Sequence, residues 1–497
     1  MADAIQLKAL VDKEKNRVIF AEADDDLVDI LFSFLTIPIG TIIRLARNKS
    51  VVGMVGMGCM NNLYTSAENI DDKFFKSRAF KLMLLTPRYY AQSHCKNLKL
   101  KMDNETPKYC GCSLECITSK YKLLSHYRGA LCKCGEEMDC GISEKRSKPS
   151  SFTSKDGGVF VKLGMTKFIV SDDLQVMPMS TAASLSLFSK LGIKDCSGIE
   201  ERIFNVKVDE VLNLLISSLV SSTPLTETLL KHKPVPELNI GNLFLRKPIE
   251  YQAENKKNSE GKITVKLMVS KSKKKVCYAE AKKDFVNLLF SFLTVPLGHI
   301  AKQNCKGSLS GCIVDLYKSV HDLDEQYLKS NYHKEMLVSP KLASNMSYKN
   351  DLLGIEEASD PSYYFYTIDF DVFCLATDRS LIPSRYASSA TSLTVLGPKF
   401  QYNDGENDEG FITGQAMFTV TDSLIIRPIS PILVLSILNE LKVPFNDIEE
   451  QIVHVGKDEA LRLLQTCFVS ESALTNAFIR DQKQRTENTG YIIYPKK

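Results

Sequence analysis

VIFAEADDDLVDILFSFLTIPIGTI, residues 18–42, returns at residues 276–300 as VCYAEAKKDFVNLLFSFLTVPLGHI, ungapped at an offset of 258 and with 15 of 25 positions identical. Each copy enters on alternation and continues at helical spacing. In the second, Val265, Leu267 and Val269 share one face, a Ser/Lys-rich turn follows, and Val276 and Tyr278 resume the pattern. That period of two predicts a hairpin. Asp26 and Asp284 stand where a short carboxylate can cap a helix. Leu27, Ile30, Leu31, Phe34 and Leu35 then fall at i, i+3, i+4, i+7 and i+8, as do Phe285, Leu288, Leu289, Phe292 and Leu293, the stripe of a core-facing helix. Pro38 with Gly40, and Pro296 with Gly298, are expected to end it.

The likeness extends along the chain. GCMNNLYTSAENIDDKFFKS (58–77) matches GCIVDLYKSVHDLDEQYLKS (311–330), TKFIVSDDLQVMPMS (166–180) matches MFTVTDSLIIRPIS (417–430), and IEERIFNVKVDEVLNLL (199–215) matches IEEQIVHVGKDEALRLL (448–464). Block order is kept and the offset drifts only from 258 to 249. The pattern is one unit of roughly 240 residues copied once, too long and too few for a solenoid. Later in the unit, Phe418 and Val420, a turn at 421–423, then Leu424 and Ile426 predict a second hairpin. Ser430-Pro431 opens a helix with a stripe of Ile432, Leu435, Leu438 and Leu441. A strand at Glu450–Val455 and a helix opened by Asp458 and Glu459, burying Leu461, Leu464 and Phe468, complete it. The expected class is α+β: a first unit at 1–232, a polar linker at 233–260 and a second unit at 261–497. The polar tail from Arg480 is expected to fray.

A chain of 497 residues with 44% hydrophobic and 25% charged residues has the composition of an ordinary globular protein with room for more than one core. A net charge of +4 argues against a protein built to grip nucleic-acid backbone. MADAIQLKAL lacks the apolar run of a signal peptide. Ile30–Ala46 is interrupted by Ser33, Thr36, Pro38, Gly40 and Arg44, which predicts a buried helix and turn rather than a membrane span. Fourteen cysteines without a secretory context predict reduced thiols and an intracellular place, cytoplasmic or nuclear.

Six of these cysteines crowd into one stretch: Cys110, Cys112, Cys116, Cys132, Cys134 and Cys140. The pairs Cys110/Cys112 and Cys132/Cys134, each with a glycine beside it, predict a zinc-ribbon-like insert at 108–141 in which four thiolates hold one tetrahedral zinc. A closed shell of four cysteines leaves no position for water, so the ion would be structural. Cys112/Cys116 with Cys132/Cys134 is the alternative ligand set, Cys140 is a further substitute, and a surface loop of free thiols is the plain reading. His126 lies inside the stretch without a partnering spacing. The second copy has only Cys374 between Pro340 and Gly410, so the metal is expected in the first half alone.

Other signals read as architecture. Gly53, Gly56 and Gly58 are in the wrong order for a dinucleotide fingerprint and predict a loop between helices. Lys271 and Lys273–Lys275 sit at a hairpin turn; solvation is the expectation, an anionic or nuclear-import patch the functional alternative. The acidic loop 404–410 departs from a calcium loop at its glycines and at Gln415. No Walker loop, nucleophile elbow or H-E-x-x-H occurs. His321, His333 and His454 align with Glu68, Phe80 and Asn205, which excludes a catalytic role common to both copies.

The two LFSFLT-x-P-x-G segments, together with GGVFVKLGMTKFIVSDDLQVMPMS, VKVDEVLNLLISSLVSSTPLTETLL and the cysteine stretch, resemble the plant DUF674 family, a family of unknown function. The resemblance spans most of the chain. It implies a plant origin and no activity, and the second half departs from it by lacking the cysteines. Shared residues that are mostly apolar, glycine or proline favour a non-enzymatic protein-interaction or scaffold module with one structural zinc and an unknown protein partner. The alternative is an enzyme with its site between the two units, which requires a convergent polar pocket.

Overall fold

Alternation along Ile5–Asp12 and Arg17–Ala23 closes an antiparallel hairpin, and Ile263–Ser270 with Lys275–Ala281 closes a second. Lys8 pairs with Glu22 and Lys266 with Glu280, and each hairpin slips register at the same place, between Leu10 and Val11 and between Met268 and Val269. The computed structural model describes residues 4–48, 57–103, 105, 108–144, 158–164, 167–230, 263–304, 312–348, 351–359, 362–368, 372–400 and 409–479. The segment 233–260, the tail from Arg480, Gly53, Gly56 and residues 404–408 lie outside them.

Both hairpins grow into five-stranded antiparallel sheets of one design. The first runs Val176–Pro178, Phe168–Ser171, Arg17–Ala23, Ile5–Asp12, Ile199–Val206; the second runs Ile426–Pro428, Phe418–Thr421, Lys275–Ala281, Ile263–Ser270, Ile448–Val455. The fold is mixed helix and strand, the α+β class that the patterning predicts.

The stripes at 27–35 and 285–293 form helices Asp25–Ser33 and Lys283–Ser291, each running into a single 3₁₀ turn, and both are wholly buried over their second half. The cap is Asp24, whose carboxylate accepts from the Leu27 N–H at 3.2 Å, while Lys282 holds that place in the second half without a side-chain cap. Asp26 and Asp284 fall in the first turn instead, where the helix dipole still favours them. The polar members of LFSFLT are satisfied inside their own helix. Ser33 donates to Ile30 O and Thr36 to Ser33 O; Ser291 and Thr294 do the same with Leu288 O and Ser291 O. That local bonding permits full burial.

Pro38 and Pro296 do not lead into loops. New helices, Ile39–Asn48 and Leu297–Asn304, begin at once, and the two proline turns pair with each other: the Ile39 N–H donates to Val295 O at 3.1 Å and the Leu297 N–H to Ile37 O at 3.0 Å. The segment that repeats most closely is therefore the segment where the halves meet.

Helices are also exchanged across that meeting. Met60–Asn69, from the first half, lies on the second sheet: Ile426 N–H donates to Ser66 Oγ at 2.9 Å and Cys59 N–H to Cys467 O at 2.7 Å. Cys312–Asp322 repays the contact, with Val176 N–H donating to Ser319 Oγ at 2.9 Å and Cys312 Sγ to Ser221 O at 3.1 Å. Gly58 serves this packing, since a Cβ there would lie 2.3 Å from Cys467 O. One hydrophobic core runs through both halves.

On the outer faces lie helices Thr181–Leu191 and Pro431–Glu440, over small clusters around Phe20 and Tyr278. The stripe expected to bury the second of these is overturned in part. Leu438 is buried, but Ile432, Leu435 and Leu441 are exposed, and Ile437 faces inward. PILVLSILNE is apolar on every side, so periodicity cannot choose its buried face. A third sheet joins the halves again. Thr391–Val395, Tyr363–Ile368 and Val372–Ala376 are flanked by Leu123–Leu124 on one edge and Ser143–Glu144 on the other. No helix among the described residues is long and apolar enough to cross a membrane, and Ile30–Ala46 is the buried helix–turn–helix just described.

Candidate metal centre

The insert folds on short pairings. Cys110–Gly111 pairs with Cys140–Gly141, and Cys110 exchanges both backbone hydrogen bonds with Ser125, at 2.8 and 2.9 Å. The chain then coils from Ser113 into Cys116–Lys120, with Ile117 N–H donating to Ser113 O at 3.1 Å. Residues four apart on such a coil are neighbours, which brings Cys116 back beside Cys112. The second arm is the hairpin Ala130–Leu131 with Glu137–Met138. Its turn carries Cys132 and Cys134, closed by Cys132 N–H to Glu136 O at 2.9 Å and Gly135 N–H to Cys132 O at 3.0 Å, with Gly135 at a φ of +94° that suits glycine.

The two arms converge. The Sγ atoms of Cys112, Cys116, Cys132 and Cys134 all lie within 4.8 Å of one another, and Cys112 and Cys134 are 3.5 Å apart. Sulfurs around a tetrahedral ion with metal–sulfur bonds of about 2.3 Å are separated by about 3.8 Å, so four cysteines here are close enough to hold a metal ion. Three are buried and Cys134 is exposed. Burial raises the Cys112 thiol and pushes that of Cys132 up to about 12, while the Glu136 N–H hydrogen-bonded to Cys134 lowers its thiol. An ion bound here displaces those protons and supplies the charge that burial otherwise disfavours.

The structure brings together Cys112, Cys116, Cys132 and Cys134, the alternative set that the spacing offers, and not the first set with Cys110. Cys110 is not in the group: its strand is paired on both sides, and its buried thiol neighbours Arg128. Cys140 is also outside the group and exposed. The i, i+4 spacing of Cys112 and Cys116 was the signal for the fourth ligand. His126 is buried against the rings of Tyr109 and Tyr363, at 5.3 and 5.5 Å. Cys374 is buried in the strand beside Ser143.

The polar residues common to both halves serve architecture. The Asp172 carboxylate accepts from the N–H and the hydroxyl of Thr226, both at 2.9 Å, and Thr226 Oγ1 accepts from the Val18 N–H. Asp422, Thr475 and Val276 repeat the arrangement. Arg17 adds an ion pair to Asp172 at 2.7 Å. The lysines of the 271–275 turn are exposed, and Lys273 reaches Leu441 O at 2.6 Å, closing the carbonyl end of the outer helix. Between the halves lies a cavity of about 580 Å³ lined by Asn62, Thr65 and Asn69 of the first and Ile426, Arg427 and Leu433 of the second.

A family model described as "Protein of unknown function (DUF674)" matches residues 2–458. No curated protein and no solved structure matches the chain.

Proposed function

We propose that this chain, which belongs to the DUF674 family, is a protein-binding module whose cysteine-rich insert is held by one structural zinc ion. The observation that carries the reading is the convergence of four thiols within 4.8 Å. Zinc suits four cysteine ligands in a tetrahedron, and four protein ligands leave no open position for a substrate or an activated water. The ion would tie the coil at Cys112–Cys116 to the turn at Cys132–Cys134. The insert contributes one edge of the third sheet, Leu123–Leu124, and the strand directly after it, Ser143–Glu144, contributes the other. Apolar surface supports the binding role. Ile432 is 80% exposed and Phe445 70%, and the equivalent strand residues Ile203 and Ile452 are 60% and 61% exposed. Ile432 and Phe445, near one another along the chain in the outer helix and the turn after it, are the pair on which the binding role is tested.

Elemental analysis of reduced, full-length protein tests the metal: about one zinc per chain is expected, and none refutes it. The binding role is tested by affinity capture with the intact chain against an Ile432→Glu/Phe445→Glu variant. A stoichiometric partner lost in the variant supports it. Equal recovery with both, or with neither, counts against it.

A further inference from the structure

Arg88 marks a second site. It follows helix Arg78–Leu85, and its backbone N–H donates to the Tyr127 hydroxyl at 3.2 Å, pinning the chain against the insert. Its Nε and Nη1 are shut off from water and find no hydrogen-bond partner among the described residues, and no carboxylate pairs with it there. Arg44 stands nearby; its Nη2 holds Asp103 at 2.7 Å, so that acid is already engaged, while its Nε too has no partner. His126, 6% exposed, has both ring nitrogens without a hydrogen bond. Folded proteins pair nearly all such buried polar atoms, and Arg88, itself half-buried, holds two of them. All three residues line one cavity of about 400 Å³ between the helix and the insert, which exposed Arg78 and Arg128 also line.

We propose that this cavity binds a small oxyanion-bearing molecule, a phosphate ester or a carboxylate, with Arg88 as its counter-charge. The volume suits a small metabolite. A guanidinium matches the paired oxygens of either group. His126, held neutral by burial and by the Arg88 charge, offers one donor and one acceptor rather than a second charge. Glu105, Glu137 and Asp139 line the same cavity, Asp139 already accepting from the Gly129 N–H, so the ligand carries hydroxyl or amino donors beside its anionic group. Arg44 and Arg88 lie outside the cysteine insert, while His126, Arg128 and Glu137 belong to it, so the titration is run on metal-replete protein.

Calorimetric titration of the full chain at fixed ionic strength tests this, with inorganic phosphate, glucose 6-phosphate and malonate as probes. Saturable one-to-one binding of at least one probe is expected, weakened more than tenfold by Arg88→Met and less by Arg88→Lys. Tighter binding of the phosphates or of malonate identifies the source of the oxyanion. No saturable binding by the native chain, or binding unchanged in Arg88→Met, overturns the proposal. Thermal unfolding in anion-free buffer separates misfolding from lost binding. Arg88→Met is expected to melt no lower than the native protein, and a lower melting point would mean that Arg88 already has its counter-charge within the fold.

Discussion

Asp29 and Asn287 occupy the same position in the two halves, and each gathers backbone N–H groups from a distant segment: Val159, Phe160 and Val161 donate to Asp29, Phe411 and Ile412 to Asn287. One half solves the problem with a carboxylate and the other with an amide. Burial pushes the Asp29 carboxyl up to about 6 despite those three hydrogen bonds, against an ordinary value of 3.8. The folded protein therefore holds this proton more tightly than the unfolded chain. The stability it contributes is fully present below the unfolded value and is lost as pH rises through about 6. Asp29→Asn removes the dependence. Relative to the native chain, the variant should gain on the order of 2 kcal/mol between pH 4 and pH 7. Urea unfolding of both proteins across that range measures it; a difference that stays flat with pH refutes it.

Gly40 and Gly298 stand at the paired proline turns. A Cβ on Gly40 would lie 2.7 Å from Leu84 O and 3.1 Å from Leu293 O, and one on Gly298 2.8 Å from Leu35 O. These are backbone oxygens and cannot step aside. Gly40→Ala and Gly298→Ala should each cost about 1–3 kcal/mol: the first drives a methyl group against Leu84 O of its own half and Leu293 O of the other, the second against Leu35 O of the other half. Gly198→Ala, with nothing within 4 Å of its Cβ, should fall within about 0.5 kcal/mol of the native chain. Denaturant midpoints decide it; an unperturbed Gly40→Ala would mean that the turns can separate.

The hairpins and buried helices were legible because alternation and the i, i+3, i+4 stripe are local and each names its own face. The exchange of Met60–Asn69 and Cys312–Asp322 was not. A stripe shows that a helix is covered, never which sheet covers it, and Ser66 reads alike whether Ile426 or a residue of its own half donates to it. The outer helix departs from its expected stripe for the opposite reason, since residues apolar on all sides carry no facing signal. At the cysteines, two C-x-C pairs of equal spacing favour Cys110 as a ligand over Cys116. The local structure is asymmetric, with a strand at Cys110, a coil from Ser113 and a true turn only at Cys132–Cys134.

That asymmetry is testable residue by residue. Cys116→Ser should reduce bound zinc from about one ion per chain to a small fraction, because three thiolates leave the tetrahedron open. Cys110→Ser should keep its zinc. Metal content and competition with a chromogenic chelator read both. The reverse order of effects would return the ligand role to Cys110 and leave the coil at Cys116 without one.

The two halves depend on each other to fold. A break at 233–260 separates the copies in sequence, yet Ile426 and Val176 each bond a serine of the other half, and the proline turns complete one another. A half expressed alone leaves these buried N–H groups empty, at about 1–3 kcal/mol each, and exposes the apolar face that the exchanged helix would cover. Residues 4–230 and 263–479 should therefore each lack a sharp thermal transition alone, and recover one when co-expressed as two chains. The intact protein should unfold in a single transition by circular dichroism and by tyrosine fluorescence. A half that melts cooperatively by itself would show that the exchange of helices decorates two independent folds rather than creating one.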